Sequence, residues 1–167
     1  MSLITYVLVG FLAKEGVQWA SERDERRLAF TQAREYSNYV SKPLLVVGAP
    51  KRVVGSHPCG DVTIDIDPNI DSVCPYEVAD IRAIPYPSNY FGAAYCSHVL
   101  EHLNTIDDAV QALREMHRVA DKVFVVGPHK TSMFAQLHPE HKLWILPTGD
   151  GYVIEQRGNA DKVELVI

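Results

Sequence analysis

Runs of apolar residues in the middle of the chain predict buried strands. Leu44–Val47 is wholly apolar and closes at Gly48, which is typical of a parallel strand that is covered on both faces. The strand at Val62–Asp67 ends in acidic residues instead. The remaining strand patterns are Gly92–Ser97 and Asp121–Gly127, with a shorter one that ends at Asp80.

Helical periodicity marks two longer segments. Residues 14–40 repeat apolar side chains at helical spacing, and the charged stretch Ser21–Arg27 inside them reads as a solvated helix face. The second helix runs from about Thr105 to Val119 and lies between two predicted strands. We also expect a helix to open near His98. A strand, a helix and a strand in this order predict a right-handed parallel crossover.

The carboxyl-terminal tail predicts short strands separated by glycine-containing turns. These strands are Leu143–Leu146, Tyr152–Gln156 and Lys162–Ile167. The whole pattern indicates a three-layer α/β fold with a mostly parallel sheet, preceded by N-terminal helices. We expect a helical extension in residues 1–40 and an α/β domain in residues 41–167.

The first residues, Met1–Ala13, are almost wholly apolar. This run is shorter than the roughly 20 residues that span a bilayer, and no basic segment precedes it as in a signal peptide. We expect an apolar helix that packs on the domain or on a second copy of the chain. A peripheral membrane anchor and a processed leader remain open alternatives.

The length, net charge and cysteine count of the chain argue against some classes of function. The chain has 167 residues, enough for one domain, and a net charge of −5, which argues against a nucleic-acid-binding surface built on a basic face. The three cysteines are odd in number and form no CxxC pair. We therefore expect no disulfide framework and a reducing, cytoplasmic compartment.

Candidate binding residues follow the predicted strands. A tight turn at Gly48 lets the backbone approach a ligand closely. Asp65, at the end of the second strand, can accept both ribose hydroxyls of a nucleoside, while Asp67 fits a turn-capping role. Asp80 and the following amide of Ile81 can read the exocyclic amine and ring nitrogen of an adenine. The sequence thus predicts a nucleoside-containing ligand at the carboxyl edge of the sheet.

The order of these motifs is Gly48, TIDIDP, ADIRAIPYP, YFGAAYCSHVLEHL, LREMHRV and KVFVVG. It resembles the class I S-adenosylmethionine-dependent methyltransferases, most closely the type-11-like subgroup with an abbreviated first crossover. The resemblance covers about Leu44–Pro128 and implies a Rossmann-like methyltransferase fold. It implies S-adenosylmethionine as cofactor and an unidentified methyl acceptor as substrate.

The resemblance also implies roles for individual residues. Gly48 and Ala49 would pass beneath the methionine part of the cofactor, and Asp65 would hold the ribose. Ile66 would touch the adenine face, and Asp80 with Ile81 would read the adenine edge. Ser97 and His98 would lie beside the methyl group, with His98 as the candidate catalytic base.

Of three departures from the family pattern, the altered glycine loop bears on cofactor affinity, whereas the short first crossover and the missing Pro-Gly-Gly turn before the last family strand look like trimming. Gly48-Ala49-Pro50 replaces the glycine-rich GxGxG loop, and only the 13 residues Ala49–Asp61 separate the first two strands. The alternative function is therefore a catalytically inactive, methyltransferase-like binding or scaffold protein.

His98, Glu101 and His102 also match HxxEH, the ligand order of inverted zinc peptidases. Two histidines four residues apart share one face of a helix. However, no helix that could carry a third ligand follows, and the three cysteines lack the spacing of a zinc site. From the sequence we therefore expect no metal.

Overall fold

A computed structural model describes residues 3–52 and 58–167, without the side chains of residues 3–9 and 11. Its main sheet has five strands in the order β3-β2-β1-β4-β5, all of them parallel. The strands are β1 Leu44–Val47, β2 Val62–Asp65, β3 Glu77–Val78, β4 Phe91–Ser97 and β5 Ala120–Val126. The predicted Rossmann-like α/β fold with a mostly parallel sheet is confirmed.

Helices α1 (Leu3–Tyr39) and α2 (Ile106–Val119) cover opposite faces of this sheet. Successive side chains of a strand point to opposite faces, so the apolar run of β1 supplies both. Leu44 and Val46 pack with the α1 side, whereas Leu45 and Val47 pack with the α2 side. The uninterrupted apolar pattern of β1 is therefore explained by burial on both faces.

Helix α1 is a single helix of 37 residues rather than several helices. Its carboxyl-terminal part lies so close to β4 that a Cβ on Gly92 would sit 2.8 Å from the Cα of Ser37. Among the described residues, no helix combines the length and apolarity needed to cross a membrane. Most side chains of Met1–Ala13 lie outside the described residues, so membrane or subunit contact there stays a prediction.

The second half of the chain differs from expectation at two places. The helix expected near His98 is only one 3₁₀ turn, Leu100–His102, and a short helix α3, Met133–Leu137, follows β5. Strands β6 Leu143–Pro147, β7 Gly151–Gln156 and β8 Lys162–Val166 form a separate antiparallel sheet. Apolar side chains of this sheet join the core on the α2 side.

The expectation of no disulfide is wrong in this structure. Cys59 and Cys74 form a disulfide with a Cα–Cα distance of 6.1 Å, and Cys96 is a buried free thiol. The bond links the segment before β2 to the segment before β3. Sequence spacing did not indicate it because the two cysteines meet only when β2 pairs in parallel between β1 and β3.

Candidate functional site

The predicted binding residues lie together at the carboxyl edge of the main sheet. Val47 of β1 pairs in register with Ile64 of β2 on one side and with Cys96 of β4 on the other. The chain leaves β1 towards β2 and β3 on one side, while β4 and β5 lie on the other, so this edge is a topological switch point. Ligands of open α/β sheets bind at such a point.

Two neighbouring cavities open at this edge, of about 260 Å³ and about 760 Å³. Their shared lining residues are Gly48, Asp65, Ile66, Val99 and His102. Asp80 and Ile81 line the smaller cavity, whereas Ala49, Ser97 and His98 line the larger one. Every site residue predicted from the sequence therefore borders one of the two cavities.

Gly48 has a backbone conformation that favours glycine, with φ of 90°. A Cβ built on it would lie 2.6 Å from Cγ2 of Val99, so a side chain here would clash. The amide of Gly48 donates to the carbonyl of Ile64, 2.9 Å away, which holds the turn against β2. Glycine at this position is therefore required both by the backbone conformation and by the proximity of Val99.

Asp65 ties this turn to the end of β2. Its Oδ2 accepts the amide of Ala49 at 2.7 Å, and its Oδ1 accepts the amide of Asp67 at 3.0 Å. A carboxylate has about four lone-pair sites, so acceptor capacity remains on both oxygens. Asp67 itself accepts the amide of Asn69 at 2.9 Å, as expected of a turn residue. Ile66 is 64% exposed, an unusual state for an isoleucine that also borders both cavities.

Asp80 has a partner that the sequence analysis did not assign. Arg82 forms a two-pronged ion pair with the Asp80 carboxylate, with Nη2 to Oδ2 at 2.7 Å, and its Nη1 donates to Asp108 at 2.6 Å. These hydrogen bonds from Arg82 hold the pKa of Asp80 below its ordinary value. The pKa of Asp108 is lowered by the same guanidinium. The wall beside Asp80 is therefore an anion–cation–anion bridge between the loop after β3 and helix α2.

Ser97 and His98 end β4 at the floor of the larger cavity. His98 has φ of 54°, a left-handed conformation that is uncommon for residues other than glycine. Its Nδ1 lies 3.2 Å from Oε1 of Glu101, and its Nε2 is buried without a hydrogen-bond partner among the described residues. One nitrogen of the imidazole thus lies beside a buried carboxylate, while the other has no hydrogen-bond partner among the described residues.

Comparison with protein families agrees with this geometry. Residues 44–123, which run from β1 into β5, match the family model described as a methyltransferase domain. Just under half of the chain is therefore similar to methyltransferase domains. A search of curated proteins finds no significant match.

The solved structures offer a distant similarity. The crystal structure of the PH0226 protein from Pyrococcus horikoshii OT3 is 15% identical, with a TM-score of 0.43. The similarity covers 83% of this chain and 74% of that one.

The methyltransferase domain brings together further residues that the sequence analysis did not assign. His102 borders both cavities, and His141, just before β6, joins it and Glu101 in one cluster. The spacing in sequence carried no signal for His141, because a loop contact far along the chain places it there. The pairing of Arg82 with Asp80 could have been predicted, because Arg82 follows Asp80 by only two residues.

Helix α1 also contributes to the larger cavity, although it lies outside the matched segment. Trp19 and Arg26 line this cavity together with Lys51 and Lys142. The charged stretch Ser21–Arg27 was expected to be a solvated face, and Arg26 departs from that expectation because it is only partly exposed. Helix α1 therefore forms one wall of the larger cavity.

Proposed function

We propose that the chain is an S-adenosylmethionine-dependent methyltransferase whose acceptor enters the larger cavity. The observation that carries this proposal is the convergence of Gly48, Asp65 and Asp80 on one cavity inside a methyltransferase domain. Bound S-adenosylmethionine would supply a methyl group on a sulfonium, which is transferred when an acceptor atom lies in line with it.

The residues of the smaller cavity fit the nucleoside part of this cofactor. Gly48 lines this cavity without a side chain, so its backbone can pass close beneath a ligand. The spare lone pairs of Asp65 would accept ribose hydroxyls. The exposed side chain of Ile66 would be covered by an adenine face, which would remove apolar area from water. Asp80, kept ionised by Arg82, would accept the exocyclic amine.

His98 is the residue that would remove a proton from an acceptor hydroxyl or amine. A base is useful only for a protonated acceptor, and histidine can exchange a proton near neutrality. Glu101 Oε1, 3.2 Å from Nδ1, would hold the ring with Nε2 available for that proton. The His98 side chain is 27% exposed and lines the larger cavity, in which the acceptor would bind.

The first test is isothermal titration of the full chain with S-adenosylmethionine and S-adenosylhomocysteine. We expect micromolar binding to the wild type. Asp65→Ala should weaken it by roughly 1.5–3 kcal/mol, about 10- to 150-fold, because a charged hydrogen-bond partner is lost. Asp71→Ala is the matched control, since the Asp71 side chain is 80% exposed and pairs with Arg52, away from Gly48 and Asp80.

The titration also distinguishes the proposed methyltransferase from the alternative of an inactive binding or scaffold protein. A folded wild type that does not bind at millimolar ligand would favour the inactive, methyltransferase-like alternative. If binding holds, an acceptor screen that detects S-adenosylhomocysteine release should find a substrate. His98→Gln should then lower the rate by about 10²- to 10⁴-fold, with cofactor affinity unchanged.

A further inference from the structure

A cluster of potential metal ligands lies at the mouth of the cleft. Glu101, His102 and His141 each place one ligand atom so that all three atoms lie within 4.8 Å of one another. Ligands of a tetrahedral zinc ion lie roughly 3.3 Å apart, given metal–ligand bonds of about 2.0–2.2 Å. Side-chain adjustments of roughly 1 Å would therefore bring the three groups into coordination distance.

The buried carboxylate of Glu101 is the second observation that points to a cation. The residue is only 2% exposed. Its Oε1 accepts no well-formed hydrogen bond from the described residues, although His98 Nδ1 is 3.2 Å away. Burying a charged group without compensation is costly, and metal coordination is one of the few arrangements that offset this cost.

Hydrogen bonding prepares His141 to bind through one particular nitrogen. Its Nδ1 lies 3.1 Å from the carbonyl oxygen of Ala135, which can only accept, so Nδ1 carries the proton and Nε2 the lone pair. Metal-binding histidines are generally oriented by such a bond from the second nitrogen. By contrast, Nδ1 of His138 accepts from the amide of Glu140 at 3.4 Å, and this histidine is outside the cluster.

The loop that carries His141 is tied to the turn that carries Glu101. The amide of Lys142 donates to the carbonyl of Glu101 at 2.6 Å. Arg157, which follows β7, donates through Nη1 to the carbonyls of His138 and His141 at 3.0 and 2.7 Å. The Lys142 amide thus joins the two halves of the cluster, and the Arg157 guanidinium braces the His141 loop, without a metal.

We propose that Glu101, His102 and His141 form a binding site for a divalent transition metal of the zinc class. Two imidazoles and one carboxylate suit Zn²⁺ and leave a coordination position open, as in catalytic rather than structural zinc sites. A carboxylate oxygen has more than one lone pair, so Oε1 of Glu101 can ligate the metal while it stays near His98 Nδ1. The site does not require the proposed methyl transfer, although His102 also borders both cavities and Glu101 also lies beside His98.

The test uses the untagged full chain, freed of metal by a chelator and titrated with Zn²⁺. We expect one ion per chain, and Co²⁺ should give the visible absorption of a tetrahedral site. His141→Gln should weaken Zn²⁺ binding by more than the roughly 10- to 100-fold expected for loss of a supporting hydrogen bond. His129→Gln is the control, because the His129 ring pairs with Glu25 of α1 and lies outside the cluster, so this variant should bind Zn²⁺ like the wild type.

Further readouts keep the proposal falsifiable. Zn²⁺ should raise the midpoint of thermal unfolding of the wild type and not of His141→Gln, because a ligand stabilises only the state it binds. No Zn²⁺ binding to folded wild type, or equal binding by the wild type and His141→Gln, would overturn the proposal. S-adenosylhomocysteine binding is measured on the same samples, so failure of the metal site is distinguished from failure of the cofactor site.

Discussion

The two cavities together form a cleft, and the residues on its two sides are held in place by different kinds of contact. The nucleoside side consists of residues that directly follow parallel strands, such as Gly48 after β1 and Asp65 at the end of β2. The histidine side joins a 3₁₀ turn to a loop about 40 residues later, with His141 held beside Glu101 by the Lys142 amide. The first side depends on sheet topology, and the second depends on a few long-range hydrogen bonds.

This difference determines how each side responds to change. Parallel strands are held by many backbone hydrogen bonds and a two-faced core, so a single surface substitution leaves their ends in place. The histidine loop has fewer ties, and the guanidinium of Arg157 supplies several of them. Substitutions can therefore disturb one side and leave the other intact.

The largest expected effect on stability comes from loss of the Cys59–Cys74 disulfide, which lies on the nucleoside side. Cys74→Ser removes the disulfide to Cys59, which lies 15 residues away in sequence. We expect the free energy of unfolding to fall by about 2–4 kcal/mol, because the unfolded chain regains the freedom that the cross-link removes. Urea unfolding of the oxidised protein measures this loss.

The same experiment has an internal control. Reducing agent should lower the stability of the wild type to that of Cys74→Ser and leave the variant unchanged. Thiol titration of the unfolded, oxidised wild type should find one free thiol, that of Cys96. Three free thiols in protein purified without reductant would show that the bond does not form.

Gly48→Ala should damage the nucleoside side alone. A non-glycine residue at φ of 90° costs about 1–3 kcal/mol, and the added Cβ meets Val99. We expect a comparable loss of stability and at least tenfold weaker binding of S-adenosylhomocysteine, with Zn²⁺ affinity unchanged. Gly149→Ala is the matched control, since no atom lies within 4 Å of the added Cβ.

Arg157→Ala should damage the histidine side alone. Without the guanidinium, the carbonyls of His138 and His141 lose their shared donor, and His141 is held less well. We expect Zn²⁺ binding to weaken about 10- to 100-fold, as for loss of supporting contacts around a metal, with cofactor affinity unchanged. Unchanged Zn²⁺ affinity would show that the Lys142 amide is sufficient to hold the loop.

The same contrast explains what could be predicted from sequence. Strand β1, its closing Gly48 and the acidic end of β2 follow local patterns, and parallel pairing then brings them to one edge. His141 could not be predicted, because its approach to Glu101 depends on the packing of the β6–β8 sheet against α2. The Cys59–Cys74 disulfide could not be predicted for a similar reason, because contacts between loops leave no periodic pattern in the sequence.

The smallest expected effect comes from Arg82→Gln. Arg82 lowers the pKa of Asp80 and of Asp108 below their ordinary value of 3.8. Carboxyl groups with a lowered pKa in the folded state stabilise the fold above the unfolded-state value, and this stabilisation is lost as the pH falls through the folded-state value.

The stability difference between wild type and Arg82→Gln should therefore be present at pH 7 and disappear as the pH falls below about 3.8. Urea unfolding across this pH range measures it, and a difference that persists at low pH would show that Arg82 acts by packing alone. In cofactor titrations at pH 7, the variant should bind S-adenosylhomocysteine at least as well as the wild type. The reason is that Asp80 regains the lone pairs that now accept from Arg82.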